Sequence, residues 1–310
     1  MVLVFYFYIC SMKNENNINN IKYMRQDFEA IVPLIRTLWR EYLVKHNIKS
    51  VVNGVSGGLD SAINCVLLKP VCDDLGIPLI GRYIHIETNK EEEQKRAEAI
   101  GKYFCTDFQS IDMTETYLTM LPKIEETGHI VYVGDNASAM EYKRKIKRGN
   151  IKARLRMIKL RDLVAENDGL LVDNDNRTEH ELGFFTLDGD VGDVTPLADL
   201  FKTEVFALSR FILTTLVSEE ERKALQDVID AVPTDGLGIT SSDVEQFGAK
   251  SYDEVDDILM NMLGYIENPL LTFEDLYYKM LNKYNDVFIK VWNRHLNSEF
   301  KRNYPYRFKL

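Results

Sequence analysis

Cysteine is scarce in this chain: Cys10, Cys65, Cys72 and Cys105 are the four among 310 residues, and no two form a CxxC pair. That excludes a disulfide framework and a thiolate zinc site, and points to reduced structural thiols in a cytoplasmic protein. Long apolar runs are missing as well. The opening stretch, MVLVFYFYIC, is too short to span a bilayer and carries neither a basic lead nor a small-residue cleavage site. Residues 1–24 therefore read as a disordered or misassigned N-terminal extension, with Met12 or Met24 as internal initiators. Positive charge is in deficit, 38 Lys and Arg against 48 Asp and Glu, a formal net charge of −10. Such a balance excludes a surface that coats nucleic acid and leaves room for local basic pockets. There is no internal repeat and no clear linker, so residues 25–310 read as one α/β domain.

What is present begins with Val51 to Ser61, VVNGVSGGLDS. A β-branched run turns on glycines into an apolar helical pattern, Ala62, Ile63, Val66 and Leu67, which Pro70 is expected to limit. A strand that turns into a helix N-terminus is an anion site, because first-turn N–H groups lack partners and the dipole favours negative charge. Gly57 and Gly58 permit close approach, while Ser56 and Ser61 add hydroxyls. No Gly-Lys-Ser/Thr closes the loop, and its glycine spacing is not that of a dinucleotide fold. Asp60 beside a phosphate needs a cation; Mg²⁺ held between Asp60 and phosphate oxygens supplies it.

Along the chain, Arg25 to Val44 patterns as a helix packing on a sheet, ahead of a strand at Ser50 to Val55. Strands follow at Ile77 to Ile84 and Thr106 to Ile111, with a helix from Lys90 to Tyr103 between them. Gly128 to Arg148 reads as a mobile loop or added helix, and Asn150 as the cap of a helix over Ile151 to Glu166. A short strand, Leu170 to Val172, leads to a second dense block, DNDNRTEHELGFFTLDGDVGDVTPLADLFKTEVF. Beyond Glu219 the pattern is helical, apart from an irregular acidic stretch, Thr234 to Phe247. Alternating strands and helices predict a doubly wound parallel sheet with flanking helices and a helical C-terminal part, with ligands at the strand C-terminal ends.

SGGLDS resembles the pyrophosphate loop of the ATP-pyrophosphatase superfamily. NIKARLRM, NRTEHELGFFTLDGD and SYDEVDDIL narrow the resemblance to the NAD synthetase family, from about Phe28 to the C-terminus. The resemblance implies an adenine nucleotide alpha hydrolase-like fold and a ligase that amidates deamido-NAD through an adenylate. ATP is its co-substrate, Mg²⁺ its cofactor and ammonia its nitrogen donor. Gly54, Val55, Ser56, Gly57, Gly58, Leu59, Asp60 and Ser61 would cradle the ATP phosphates, with Arg82, Asn174, Lys202 and Thr234 as further ATP contacts. Asp60 and Glu179 would hold the metal and, with Lys202, form the catalytic set; Arg154, Leu187, Asp193, Phe300 and Lys301 fall at the deamido-NAD positions. Arg154 and Arg156 point to different sides of one helix, so one of them is expected to reach the ligand. The two segments at Gly128 to Arg148 and Thr234 to Phe247 are expected to form a lid that keeps water from the adenylate.

Some positions depart from the family pattern. Asp173-Asn174 stand where Gly-Thr is usual, Leu187 where a lysine follows GFFT, Phe300 where a histidine precedes Lys301, and GDVGD is a residue short. These departures bear on the substrate side more than on the ATP side. They leave two alternatives: another pyrophosphate-loop enzyme that adenylates tRNA or a different carboxylate, or a non-catalytic nucleotide-binding relative. Roughly fifty residues precede the loop, too few for a glutaminase domain, so free ammonia is expected, with a separate glutaminase subunit as the other source. The resemblance also implies a homodimer with its substrate site near the interface, no membrane and no nucleic-acid partner.

Overall fold

The computed structural model describes residues 27–87, 89–126, 137–233, 243–264, 271–305 and 308. The first helix, α1 (Phe28–Lys45), is capped by the Asp27 side chain, which accepts from Ala30 N at 3.2 Å. It leads into β1 (Ser50–Gly54), α2 (Leu59–Leu75), β2 (Leu79–His85), α3 (Glu91–Phe104) and β3 (Asp107–Asp112). Then come α4 (Thr114–Glu125), α5 (Ala137–Glu166), β4 (Gly169–Leu171) and α6 (Arg177–Leu182). The C-terminal part is helical: α7 (Lys202–Thr215), α8 (Glu219–Ile229), α9 (Tyr252–Met262), α10 (Phe273–Tyr284), α11 (Asp286–Asn297) and α12 (Glu299–Arg302).

The four strands are parallel in the order β3-β2-β1-β4, a doubly wound arrangement. Alternation along the strands splits the core between two faces. Val51, Leu79, Tyr83 and Leu170 join the cluster under α1, α2, α3, α7 and α8, whereas Val52, Ile80, Ile84 and Leu171 join Tyr117, Leu155 and Leu160 under α4 and α5. A third cluster, from Leu182 and Phe201 to Phe288 and Trp292, packs the C-terminal helices against α6.

Two local expectations are corrected. Pro70 does not end α2, which runs on to the left-handed cap Gly76 (φ 66°). A proline removes one ladder hydrogen bond, and the burial of Val71 and Cys72 beyond it outweighs that loss. Asn150 caps nothing. It lies inside the 30-residue α5, and its Oδ1 accepts from Thr186 Oγ1 at 2.8 Å. The basic run before it is thus part of one long helix, while residues 128–136 and 234–242 of the expected lid, Thr234 included, lie outside the described residues. The N-terminal extension lies outside them too.

Candidate active site

From β1 the chain winds outward to β2 and β3, then returns to β4 on the other side of β1. Crossovers leave in opposite directions at that switch point, so a crevice opens at the strand C-terminal ends. A cleft of about 720 Å³ lies there, lined by the 54–61 loop, Arg82, Arg156, Asn174, Glu179, Lys202 and Phe300.

The loop is braced before any ligand arrives. Ser56 N donates to Ser61 Oγ (3.1 Å), Gly58 N to Ser56 Oγ (3.2 Å), and Ser61 Oγ to Gly58 O (3.2 Å). Arg96, on α3, donates through Nε to Gly57 O at 2.9 Å. Gly57 has φ +82°, and a Cβ there would lie 2.2 Å from Glu93 O, so no larger residue fits without moving the α3 backbone.

Opposite the loop, Asn176 caps α6 and fixes the carboxylates at once. Its Oδ1 accepts from Glu179 N (3.1 Å), its N donates to Glu179 Oε2 (3.1 Å), and its Nδ2 donates to Asp60 Oδ1 (2.9 Å). Lys202, the first residue of α7, inserts Nζ between the pair, donating to Asp60 Oδ2 and to Glu179 Oε1 (3.1 Å). Burial pushes the Glu179 carboxyl up to about 7; Lys202 pulls it down and Asp60 pushes it further up. Burial alone would lower the Lys202 ammonium, but Asp60 and Glu179 outweigh it and hold it well above its ordinary value. Asp256, from the SYDEVDDIL stretch, anchors the same corner. It accepts from Thr178 Oγ1 (2.6 Å) and Thr203 N (2.8 Å), which ties α9 to the starts of α6 and α7.

Around this centre, Arg82 lines the cleft but spends its guanidinium on β3 and its own strand, donating to Asp107 Oδ2 at 2.5 Å and Gly81 O at 2.8 Å. Asn174 Nδ2 donates to Asn53 Oδ1, and its own Oδ1 accepts from Asn64 Nδ2, both at 2.9 Å. Of the two arginines on α5, Arg156 faces the cleft, donating to Ile84 O (3.0 Å) and Asn89 Oδ1 (2.8 Å). Arg154 is exposed and donates to Leu187 O at 3.1 Å. Asp193 pairs with Arg161 (2.5 Å) and accepts from Leu171 N (2.8 Å) outside the cleft. Leu187 lines a neighbouring cavity of about 510 Å³ that shares Asp175, Phe185 and Lys301 with the cleft. Phe300 is 63% exposed at the cleft wall. Lys301 donates to Gly183 O (2.7 Å) and Phe185 O, while Arg294 and Arg302 take Leu182 O (2.8 Å) and Glu181 O (2.6 Å). Three cations thus close the C-terminal end of α6, the helix that carries Glu179.

Arg96, Asn176 and Asp256 are neighbours of the site to which sequence reasoning assigns no role, and of the Arg154–Arg156 pair it is Arg156 that reaches the cleft. Asn176 had a signal, the Asn-x-x-Glu spacing of a capping box before a short helix. Arg96 had none, because nothing in the α3 pattern tells which residue meets Gly57 O.

The parallel sheet, the loop at its switch point and the flanking helices define an adenine nucleotide alpha hydrolase-like protein. Residues 31–305 match the NAD synthase family, and the chain belongs to it. An NH(3)-dependent NAD(+) synthetase of Finegoldia magna is 31% identical over 227 residues, 73% of this chain and 82% of that relative. Among solved structures, an NMN synthetase from Francisella tularensis aligns with TM-score 0.68 at 20% identity, over 91% of this chain and 97% of that one. An NH3-dependent NAD synthetase from Campylobacter jejuni aligns with TM-score 0.64 at 18% identity, over 91% and 99%.

Proposed function

We propose that this chain is a ligase that amidates deamido-NAD to NAD with ammonia, at the cost of ATP converted to AMP and pyrophosphate. The observation that carries the reading is the convergence of Glu179 and Lys202 on Asp60 of the braced SGGLDS loop. The loop N–H groups and the α2 N-terminus receive the β- and γ-phosphates. The nicotinate carboxylate of deamido-NAD attacks the α-phosphorus and displaces pyrophosphate, and ammonia then opens the acyl-adenylate. No covalent nucleophile from the chain is needed. Lys202 and Arg156 supply positive charge where negative charge gathers on the phosphates, the dominant electrostatic contribution in such transfers.

Among the described residues no group of three or more His, Cys, Asp or Glu side chains forms a metal cage. A pair of carboxylates fits Mg²⁺, which takes one or two protein oxygens and completes its shell with water and phosphate. Asp60 and Glu179 would hold it, and it would neutralise charge on the phosphates and the departing pyrophosphate. Asn174 borders the adenine nucleotide; Lys301 and Phe300 border the dinucleotide at the cleft wall. Arg154, Leu187 and Asp193, which lie outside the cleft, suit contacts to deamido-NAD at a dimer interface. Exposed Leu118, Ile124, Tyr142 and Ile158 on α4 and α5 offer apolar surface for such a homodimer. Among the described residues no helix is long and apolar enough to cross a membrane, and we assign the activity to the cytoplasm.

The test is pyrophosphate release from ATP and Mg²⁺ with deamido-NAD, with and without ammonium, followed by detection of NAD. Coupled release supports the reading. ATP binding without turnover of deamido-NAD, or turnover only of a shorter nicotinate mononucleotide, refutes it.

A further inference from the structure

Two of the described cysteines meet beneath the nucleotide loop. Cys65, in the second turn of α2 and fully buried, has its Sγ 3.7 Å from Cys105 Sγ, at the end of α3. Cys105 is partly exposed, so a small reagent reaches it first. Its sulfur occupies space left by a glycine in β2: a Cβ on Gly81 would lie 2.5 Å from it. Asn53 joins the pair to the cleft. Its Nδ2 donates to Cys65 Sγ (3.1 Å) and Ser61 O (3.0 Å), while its Oδ1 accepts from Asn174 Nδ2 (2.9 Å).

We propose that Cys65 and Cys105 form a reversible disulfide with small-molecule disulfides of the glutathione class, and that oxidation weakens nucleotide binding through Asn53. A disulfide needs the sulfurs at about 2.05 Å, so from 3.7 Å they close by roughly 1.7 Å. Cys105 attacks one sulfur of the small disulfide, forming a mixed disulfide and releasing one small thiol. Cys65 then attacks Cys105 Sγ, which releases the second. The two cysteine protons end on the two released thiols; the protein pair is oxidised and the small disulfide reduced by two electrons. The hydrogen bond to Cys105, together with burial, raises the Cys65 thiol well above its ordinary value. The inner sulfur is thus the weaker nucleophile of the two, and the partly exposed outer one reacts first.

Bond formation draws Cys65 Sγ toward Cys105 and takes an acceptor from Asn53, whose other bonds hold Ser61 and Asn174 in the cleft. The nucleotide arm of this proposal rests on the ATP-binding reading above, while the thiol chemistry does not.

The full chain is incubated with oxidised glutathione, free thiols are blocked with N-ethylmaleimide, and peptides are mapped without reduction. The expected product is a Cys65–Cys105 cross-link that dithiothreitol reverses, unaffected by Cys72→Ser and abolished by either Cys105→Ser or Cys65→Ala. A glutathione adduct alone, a bond through Cys72, or no thiol loss overturns the proposal. Oxidised chain should bind ATP about five-fold more weakly than reduced chain, the scale of one lost neutral hydrogen bond. Cys105→Ser should bind like the reduced chain under both conditions. Cross-linking with unchanged ATP affinity overturns the coupling through Asn53. Reduced chain that fails to bind ATP refutes the function reading and leaves the cross-link to stand or fall by itself.

Discussion

Glu179 is expected to cost stability in order to serve the site, and Glu179→Gln should expose that cost. Burial, opposed by Lys202 and reinforced by Asp60, moves its carboxyl from an ordinary 4.5 up to about 7. A carboxyl whose folded value is raised contributes stability that is complete below about pH 4.5 and lost as pH rises through about 7. The shift corresponds to about 3 kcal/mol at most, and about 1–3 once the 18% exposure of the side chain is allowed for. Glutamine keeps the shape and removes the charge. At about pH 8 without Mg²⁺ the variant should melt roughly 3–8 °C above the parent chain, at a few degrees per kcal/mol for a domain of this size. At about pH 5, where Glu179 is already protonated, the two should coincide. Mg²⁺ should then stabilise the parent at about pH 8 and leave the variant unchanged, while NAD formation falls at least about 100-fold. Thermal melts at the two pH values decide the matter. Equal melting differences at both, or a variant that is less stable at the higher pH, would refute the placement of a buried, charge-crowded carboxylate here.

Lys202→Met removes the buried cation that bridges Asp60 and Glu179 and leaves two part-buried carboxylates facing each other. A loss of about 3–5 kcal/mol is expected, partly restored by Mg²⁺, and denaturant melts with and without the ion measure it. Gly57→Ala puts a methyl 2.2 Å from Glu93 O at positive φ; ATP affinity by calorimetry should fall at least about ten-fold, even where the fold survives. Arg156→Met should raise the KM for ATP or deamido-NAD in the monomeric cleft. In the proposed homodimer, Arg154→Met should act through the subunit contact, so that its defect deepens as the protein is diluted toward monomer. Asp173→Ala strips the acceptor from Asp175 N (2.9 Å) and Gly192 N (3.0 Å) and should cost about 2–4 kcal/mol, whereas Asp173→Asn, which keeps one acceptor oxygen, should cost less than half of that.

The sheet was legible because β1, β2 and β4, buried on both faces, write themselves as apolar runs, and all four strands fall within two residues of where the pattern puts them. The loop was legible for a related reason, since a strand–glycine–helix transition needs particular residues at fixed steps. Asp60 and Glu179 are 119 positions apart in the numbering, and what joins them, Asn176 and Lys202, is a matter of tertiary placement. Resemblance brought the carboxylates and Lys202 together on paper, but it was silent on Asn176, Asp256 and Arg96, which orient them. Helix ends were the least legible. Pro70 and Asn150 carry strong local signals for boundaries, and both lie inside helices because burial beyond them is worth more than one ladder bond or one cap.

Two of the departures from the family pattern account for each other. Asp173 appears in the sequence as an unexpected charge beside the nucleotide, and GDVGD as a turn one residue short. In the fold Asp173 lines the neighbouring cavity and not the cleft, and its carboxylate accepts from Gly192 N, in that same turn. Gly192 lies so close to β4 that a Cβ there would be 2.4 Å from Asp173 N, and beyond it Val194 forms a parallel bridge to Val172. Asp193 N donates to Leu171 O (2.8 Å), and Asp173 N to Val194 O (2.9 Å), so the shortened turn is laid along the open edge of β4 as a further strand would be. A carboxylate at 173 supplies the acceptor that this tight path requires, and the same turn carries Asp190, which lines the cleft. Burial raises the Asp173 carboxyl while the N–H groups of Asp175 and Gly192 draw it back down, as expected of an acid used as an acceptor in the fold. The charge at 173 is therefore part of how this wall beside the cleft is built.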